Sequence, residues 1–162
     1  MKTCIIRAAR PDDRANLVAA IIDFQDYERR LHDTRLPGSA MAEPYLDWLT
    51  ELTKSDEGAF LIAEQDGIFA GYAACVVSQE DNLAETADSN RFGLVMDTYV
   101  IPSFRGQGIA AHLLAATETH LIGRGVSRIR IGVLANNESA IKAYTKFGFM
   151  DYEMTLEKKV AR

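Results

Sequence analysis

The apolar periodicities along the chain predict an α/β fold, α+β under other schemes, with a mixed, partly antiparallel central sheet flanked by about four helices. Three observations carry this. Strand-like and helix-like runs follow the order β-α-α-β-β-β-α-β-α-β. Asp66-Gly67 joins two strand-like runs and tolerates the positive φ angles of a tight hairpin turn. Residues 92–111, FGLVMDTYVIPSFRGQGIAA, read as an apolar strand, a turn opened by Pro102, a glycine-bearing loop and a helix start. Gly106 and Gly108 let the backbone come close to a ligand there, and the unpaired N–H groups of the helix's first turn favour an anion such as phosphate.

Each element has its own warrant. Residues 4–8 alternate as a short strand, and Pro11-Asp12-Asp13 supplies a rigid first turn with negative charge where a helix N-terminus favours it. Leu17, Ile21, Phe24 and Leu31 then form one helical stripe, with Asp23, Asp26, Arg29 and Arg30 off it. Residues 32–42, with Pro37-Gly38, read as a loop, and a second helix from about 43 to 54 buries Tyr45, Leu49 and Leu52, with Trp48 as a packing anchor. The hairpin strands are 59–64 and 68–77; the polar segment 78–91 is long for a connection and reads as a loop facing ligand or solvent. After the 92–101 strand, Ile109, Leu113, Leu114 and Leu121 continue a helix that Gly123 and Gly125 end. Residues 128–134 alternate as a strand, Asn136-Asn137 caps a helix through Phe147 that Gly148 ends, and 149–160 reads as the last strand.

Length and composition limit the function. The 162 residues, 48% hydrophobic, suit one domain over 1–162. The apolar run of 1–9 is broken by Arg7 and Arg10 before signal-peptide length, and no later run is long enough for a bilayer, so a soluble cytoplasmic protein without membrane partners is expected. Cys4 and Cys75 sit in strand-like runs as buried free thiols. A formal charge of −5 disfavours nucleic acid, which is held by clustered Lys and Arg. Acid is concentrated in 43–57 and 78–90, which is either a solvated face or a field that attracts cationic amines.

Three readings compete for the glycine loop. A P-loop needs Lys and then Ser or Thr after its second glycine, whereas Ile109-Ala110 follow Gly108. The dinucleotide pattern Gly106-x-Gly108-x-x-Ala111 is present, but that fold wants an acidic residue about 20 residues on to bind ribose. Here the next strand ends in Ala135-Asn136-Asn137, and most of the chain precedes the loop. The third reading takes Arg105-x-x-Gly108-x-Ala110 together with Asn137-x-x-Ala140-x-x-x-Tyr144 and the following Lys146-Phe147-Gly148-Phe149. In this order, one helix and one strand apart, they resemble the pyrophosphate signature and the Asn-to-Gly-Phe stretch of the GCN5-related N-acetyltransferase (GNAT) family.

That resemblance covers the whole element order and implies acetyl-CoA as co-substrate, with no metal. Arg105, Gly106, Gln107, Gly108, Ile109 and Ala110 would hold the pyrophosphate, and the pantetheine arm would lie against Tyr99, Val100 and Ile101 where the strand splays from its neighbour. Asn137 would contact the same arm, and Tyr144 would approach the sulfur. Acetyl transfer to an amine of pKa near ~10, releasing a thiol near ~8.5, wants a base and an acid. Asp97, the only charged group in 92–101, stands where many family members carry a glutamate base. Each residue also has a plainer reading: Asp97 as a structural or substrate-holding carboxylate, with a relay water wanted by its shorter side chain; Tyr144 and Tyr99 as core aromatics; Asn137 as a helix cap. His112 and His120 read as surface residues.

The implied function is N-acetyl transfer to a primary amine of a cationic small molecule, by direct attack in a ternary complex. The alternatives are a sensor that binds acyl-CoA without chemistry and an enzyme for protein lysines or N-terminal amines. In the family the acceptor pocket comes from the first two helices, their loop and, here, 78–91. Because only one strand follows Gly148, the sheet edge is either open or completed by another subunit, as in a homodimer.

Overall fold

The computed structural model describes residues 3–160, so the first two positions of the segment read above for a leader lie outside it. β1 (Cys4–Ala8) leads through a 3-10 turn at Pro11–Asp13 into α1 (Arg14–Leu31), then α2 (Gly38–Ser55). The hairpin β2 (Ala59–Gln65) and β3 (Ile68–Gln79) follows, then a short helix α3 (Ala87–Asn90) and β4 (Arg91–Val100). A 3-10 turn at Pro102–Phe104 leads to α4 (Ile109–Gly123), β5 (Ile129–Ile131) and α5 (Glu138–Phe147).

The five strands form one sheet in the order β1-β2-β3-β4-β5, antiparallel except for the parallel pair β4–β5. The Asp66-Gly67 hairpin forms as expected, with φ of 52° and 79°. Alternation in the strands sends side chains to two cores. Leu17, Ile21, Leu46, Ile62, Tyr72 and Tyr99 pack between the sheet and α1 and α2, while Ala63, Ala73, Ile109 and Leu113 pack under α4. β3 is buried on both faces, and Gly71 in it is obligatory because a Cβ there would meet the Tyr99 carbonyl oxygen at 2.3 Å. No helix among the described residues is long and apolar enough to cross a membrane.

Several expectations are corrected. α2 begins at Gly38, not 43: Pro37 precedes the first turn, Gly38 lies against the Ile22 backbone, and Asp26 Oδ1 accepts a hydrogen bond from the Gly38 N–H at 2.8 Å. Trp48 is no buried anchor; it is 48% exposed and lies against Tyr45, while Leu46 and Leu49 do the burying. The 78–91 connection is shorter than it reads, because β3 runs to Gln79 and α3 and β4 take up its end. Strand β5 keeps three residues of the expected seven. The last strand does not form: 149–160 has no ladder partner and all of 150–160 is exposed. Alternation alone makes no strand: the segment does not lie along a sheet edge, and no ladder hydrogen bond is made to it among the described residues.

Candidate active site

The site begins where the sheet comes apart. β4 and β5 pair only from Gly93↔Ile129 to Val95↔Ile131, so 96–100 on one strand and 132–134 on the other part from each other. The resulting cavity of about 800 Å³ is lined by both strand ends, by the start of α4 and by residues of α1, α2, their loop and α5. Splaying leaves backbone N–H and C=O groups of two strand ends without ladder partners, and such groups receive an extended, amide-bearing ligand as an added strand would be received.

One end of the cavity is the glycine loop. Gly106 and Gly108 take φ of 74° and 83°, so a side chain at either would strain the turn. A Cβ at either would meet no atom within 4 Å, so their necessity in the protein is conformational. Gly108 is the N-cap of α4, and its carbonyl accepts from the His112 N–H at 3.1 Å. The N–H groups of the first turn thus have no intrahelical acceptor and face the cavity mouth with the positive end of the helix dipole. The Arg105 guanidinium donates through Nε to the Val100 carbonyl at 3.0 Å and stacks over the Tyr27 and Tyr99 rings, which stiffens the loop's approach.

Asp97 lies in the middle of the parted segment of β4, 6% exposed. Tyr45 from α2 donates to its Oδ1 at 2.9 Å, and Tyr72 from β3 donates to its Oδ2 at 2.9 Å. Burial pushes its pKa up to about 6, and the nearby Glu28 carboxylate adds to the rise, although both phenols stabilise the ionised form. The reciprocal effect holds for the phenols. Burial and then Asp97 raise both Tyr45 and Tyr72. Tyr144 lines the same cavity and is pushed up to about 12 by burial, then by Asp97 and Glu28, so it keeps its proton throughout the neutral range.

Asn137 is the N-cap of α5: its Oδ1 accepts from the Ala140 N–H at 3.2 Å and from the Tyr27 hydroxyl at 3.3 Å. Of the residues expected at the site, Asp97, Tyr99, Val100, Arg105, Gly106, Gly108, Ile109, Ala110, Asn137 and Tyr144 line this one cavity. Two do not. Ile101 packs in the core under α1, and Gln107 is turned to Gln65 and to the Ser103 carbonyl.

The acidic stretches expected to shape the acceptor pocket are elsewhere. Glu43 and Asp47 pair with Arg14, Glu57 with Arg91 and Asp88 with Arg128, all at the surface, and no residue of 78–91 lines the cavity. The cavity's acids are Asp97 and Glu28, the latter paired with Arg35 of the α1–α2 loop at 2.8 Å. Glu28 was missed, yet it falls on the apolar stripe of α1 four residues after Phe24, and a charge on a buried stripe is itself a signal. Thr98 was missed too: it lines the parted strand, and its Oγ1 is buried without a partner among the described residues. Among the described residues no three His, Cys, Asp or Glu side chains gather as metal ligands.

The fold is shared with solved proteins. A tetramutant of a Bacillus halodurans protein superimposes with a TM-score of 0.83 at 18% identity, covering 96% of this chain and 99% of the other. An aminoglycoside N-acetyltransferase in complex with CoA superimposes with a TM-score of 0.70 at 18% identity over 99% and 96%. A mycothiol acetyltransferase of Sanguibacter keddieii is 30% identical over 97% of this chain, which spans about half, 46%, of that enzyme's length. A sequence model of the acetyltransferase (GNAT) family matches residues 22–149, the stretch that carries the parted strands, the helix-capping glycine loop, Asp97 and Tyr144. On that match this chain belongs to the GNAT acetyltransferase family.

Proposed function

We propose that the protein transfers the acetyl group of acetyl-CoA to a primary amine, by direct attack in a complex that holds both substrates. The observation that carries the reading is that one cavity unites a slot between parted strands, a helix N-terminus at its end, a buried carboxylate of pKa about 6 and the half-buried phenol of Tyr144. The N–H groups of 108–111 suit the pyrophosphate, and the parted strand ends suit the amides of the pantetheine arm.

When bound, acetyl-CoA supplies a thioester carbonyl that an amine nitrogen can attack with departure of the sulfur. The remaining chemistry falls to this chain. Asp97 takes the proton that the ammonium must lose, directly or through Tyr45, whose hydroxyl links it to the cavity. Tyr144, fully protonated near neutrality, donates to the departing sulfur. Asp97 and Glu28 give the acceptor end negative charge, which favours a cationic small amine, and Arg35 offsets part of it at the loop. The mycothiol and aminoglycoside acetyltransferases among its relatives support amine acetylation as the reaction class.

A sensor that binds acyl-CoA without chemistry has one observation on its side: both Asp97 oxygens already accept phenol hydrogen bonds. Thiol release from acetyl-CoA over a panel of polyamines, aminoglycosides, amino acids and lysine peptides decides between the two. Turnover that falls about tenfold in Tyr144→Phe, the 1.4 kcal/mol of one hydrogen bond, is expected. CoA binding with no transfer to any amine or peptide would establish the sensor instead.

A further inference from the structure

The acceptor end of the cavity is lined by one cation among the described residues, Arg35 on the loop 32–37 between α1 and α2. It stands beside Glu28 of α1, and the two side chains are 35% and 17% exposed. Little of either is committed. Arg35 donates through Nε to Glu28 Oε2 at 2.8 Å and through Nη1 to Thr34 Oγ1 at 3.4 Å, while its Nη2 and the Glu28 Oε1 bond to no described residue. The loop beneath is fixed: Gln25 Nε2 donates to the Leu36 carbonyl at 3.1 Å, and the Thr34 N–H to His32 Nδ1 at 3.3 Å. A guanidinium fork presented from a fixed base is suited to a carboxylate, which it binds by two parallel N–H bonds. Between this charged pair and the buried Asp97 the cavity wall is apolar, made of Phe24, Met41 and Leu36, the last 61% exposed.

We propose that the acceptor is a free diamino carboxylic acid of the lysine or ornithine kind. Its carboxylate lies on the Arg35 fork, its α-ammonium at Glu28 and its methylene stem along the apolar wall, so that the side-chain amine reaches Asp97. The chemical step rests on the acetyl-transfer reading above. The side-chain nitrogen bonds to the acetyl carbon as the carbon–sulfur bond breaks. The ammonium sheds two protons, one to Asp97 and on to solvent, the other replacing the one that Tyr144 gives to the departing sulfur. The pair discriminates in both directions. A simple diamine offers Arg35 no carboxylate and sets a second cation near it, and a lysine within a protein has its carboxyl tied up as an amide, so either leaves the fork unpaired.

Pairs of acceptors that differ only by the carboxylate test this: lysine against cadaverine, and ornithine against putrescine. Calorimetry on the native protein saturated with CoA is expected to give affinity about tenfold or more higher for each amino acid than for its diamine, the worth of one charge-assisted contact. The kcat/KM ratio for acetyl transfer should follow, with the product acetylated at the side-chain nitrogen. Arg35→Ala should bring both ratios to about one, chiefly through the KM of the amino acids, and Arg35→Lys should restore part of the preference; circular dichroism checks that both variants fold. Diamines bound as well as their amino acids, no binding of lysine or ornithine, or a preference that survives in Arg35→Ala would each overturn the proposal. Binding with the expected preference but no acetyl transfer would uphold the acceptor site and overturn the acetyl-transfer reading instead.

Discussion

Two aspartates, each 6% exposed, show how the same side chain is put to different uses. Asp13 follows β1 and meets a charge: Arg7 donates to both its oxygens at 2.7 Å, and the Arg10 backbone N–H donates at 2.7 Å. Arg7 holds its carboxyl below the usual range in spite of burial. Asp97 meets only the neutral hydroxyls of Tyr45 and Tyr72, and burial carries it up to about 6. A buried carboxylate with a cation for a partner is locked in one state and ties elements together. One with neutral donors can change state near neutrality, which proton transfer requires.

The two sites should therefore separate under substitution. The largest effect expected is in Asp97→Asn, which keeps the shape and loses the base: kcat/KM for the best amine should fall about 1000-fold, while the affinity for CoA by calorimetry stays native. Next, Asp13→Ala leaves Arg7 with Glu64 alone and should cost about 3 kcal/mol in urea unfolding, with turnover of the folded protein unchanged.

Stability against pH should show opposite signs. Asp13 has a depressed folded pKa, so its contribution is present above the unfolded value and is lost as pH falls through the folded one. Asp97 has a raised folded pKa, so the folded state binds the extra proton between about 3.8 and about 6, and its ionisation costs stability above that window. Asp97→Asn should hence be more stable than the native chain at pH 8 by about 1–2 kcal/mol, part of what a shift of this size is worth, and should lose the slope between pH 4 and 6. A smaller effect is expected of Tyr45→Phe, which removes one donor to the carboxylate: the acid limb of its activity should move up by about one pH unit.

What was legible in the sequence divides along the line between local and distant pairings. The hairpin at Asp66-Gly67, the capping glycine loop and the Asn137-capped helix are written in consecutive residues, and they fold as read. The partners of Asp97 are not local. Tyr72 comes to it through the β3–β4 register, in which Ala74 faces Asp97, and Tyr45 comes through the packing of α2 on the sheet. Thr98 was invisible because an unpaired hydroxyl is a property of its surroundings and not of its spacing. The alternation of 150–157 was legible as a pattern, but a strand needs ladder partners elsewhere in the chain, and among the described residues it gains none.

The pH dependence of kcat/KM, measured side by side for the native chain and Asp97→Asn with the best amine of the panel, bears most directly on catalysis by Asp97. The native profile should rise with pH through an ionisation near 6 and keep no alkaline fall from Tyr144 in the neutral range, and the variant should lose that ionisation together with most of its turnover. A variant with native turnover and the same acid limb would show that the buried carboxylate is structural and that another group takes the proton.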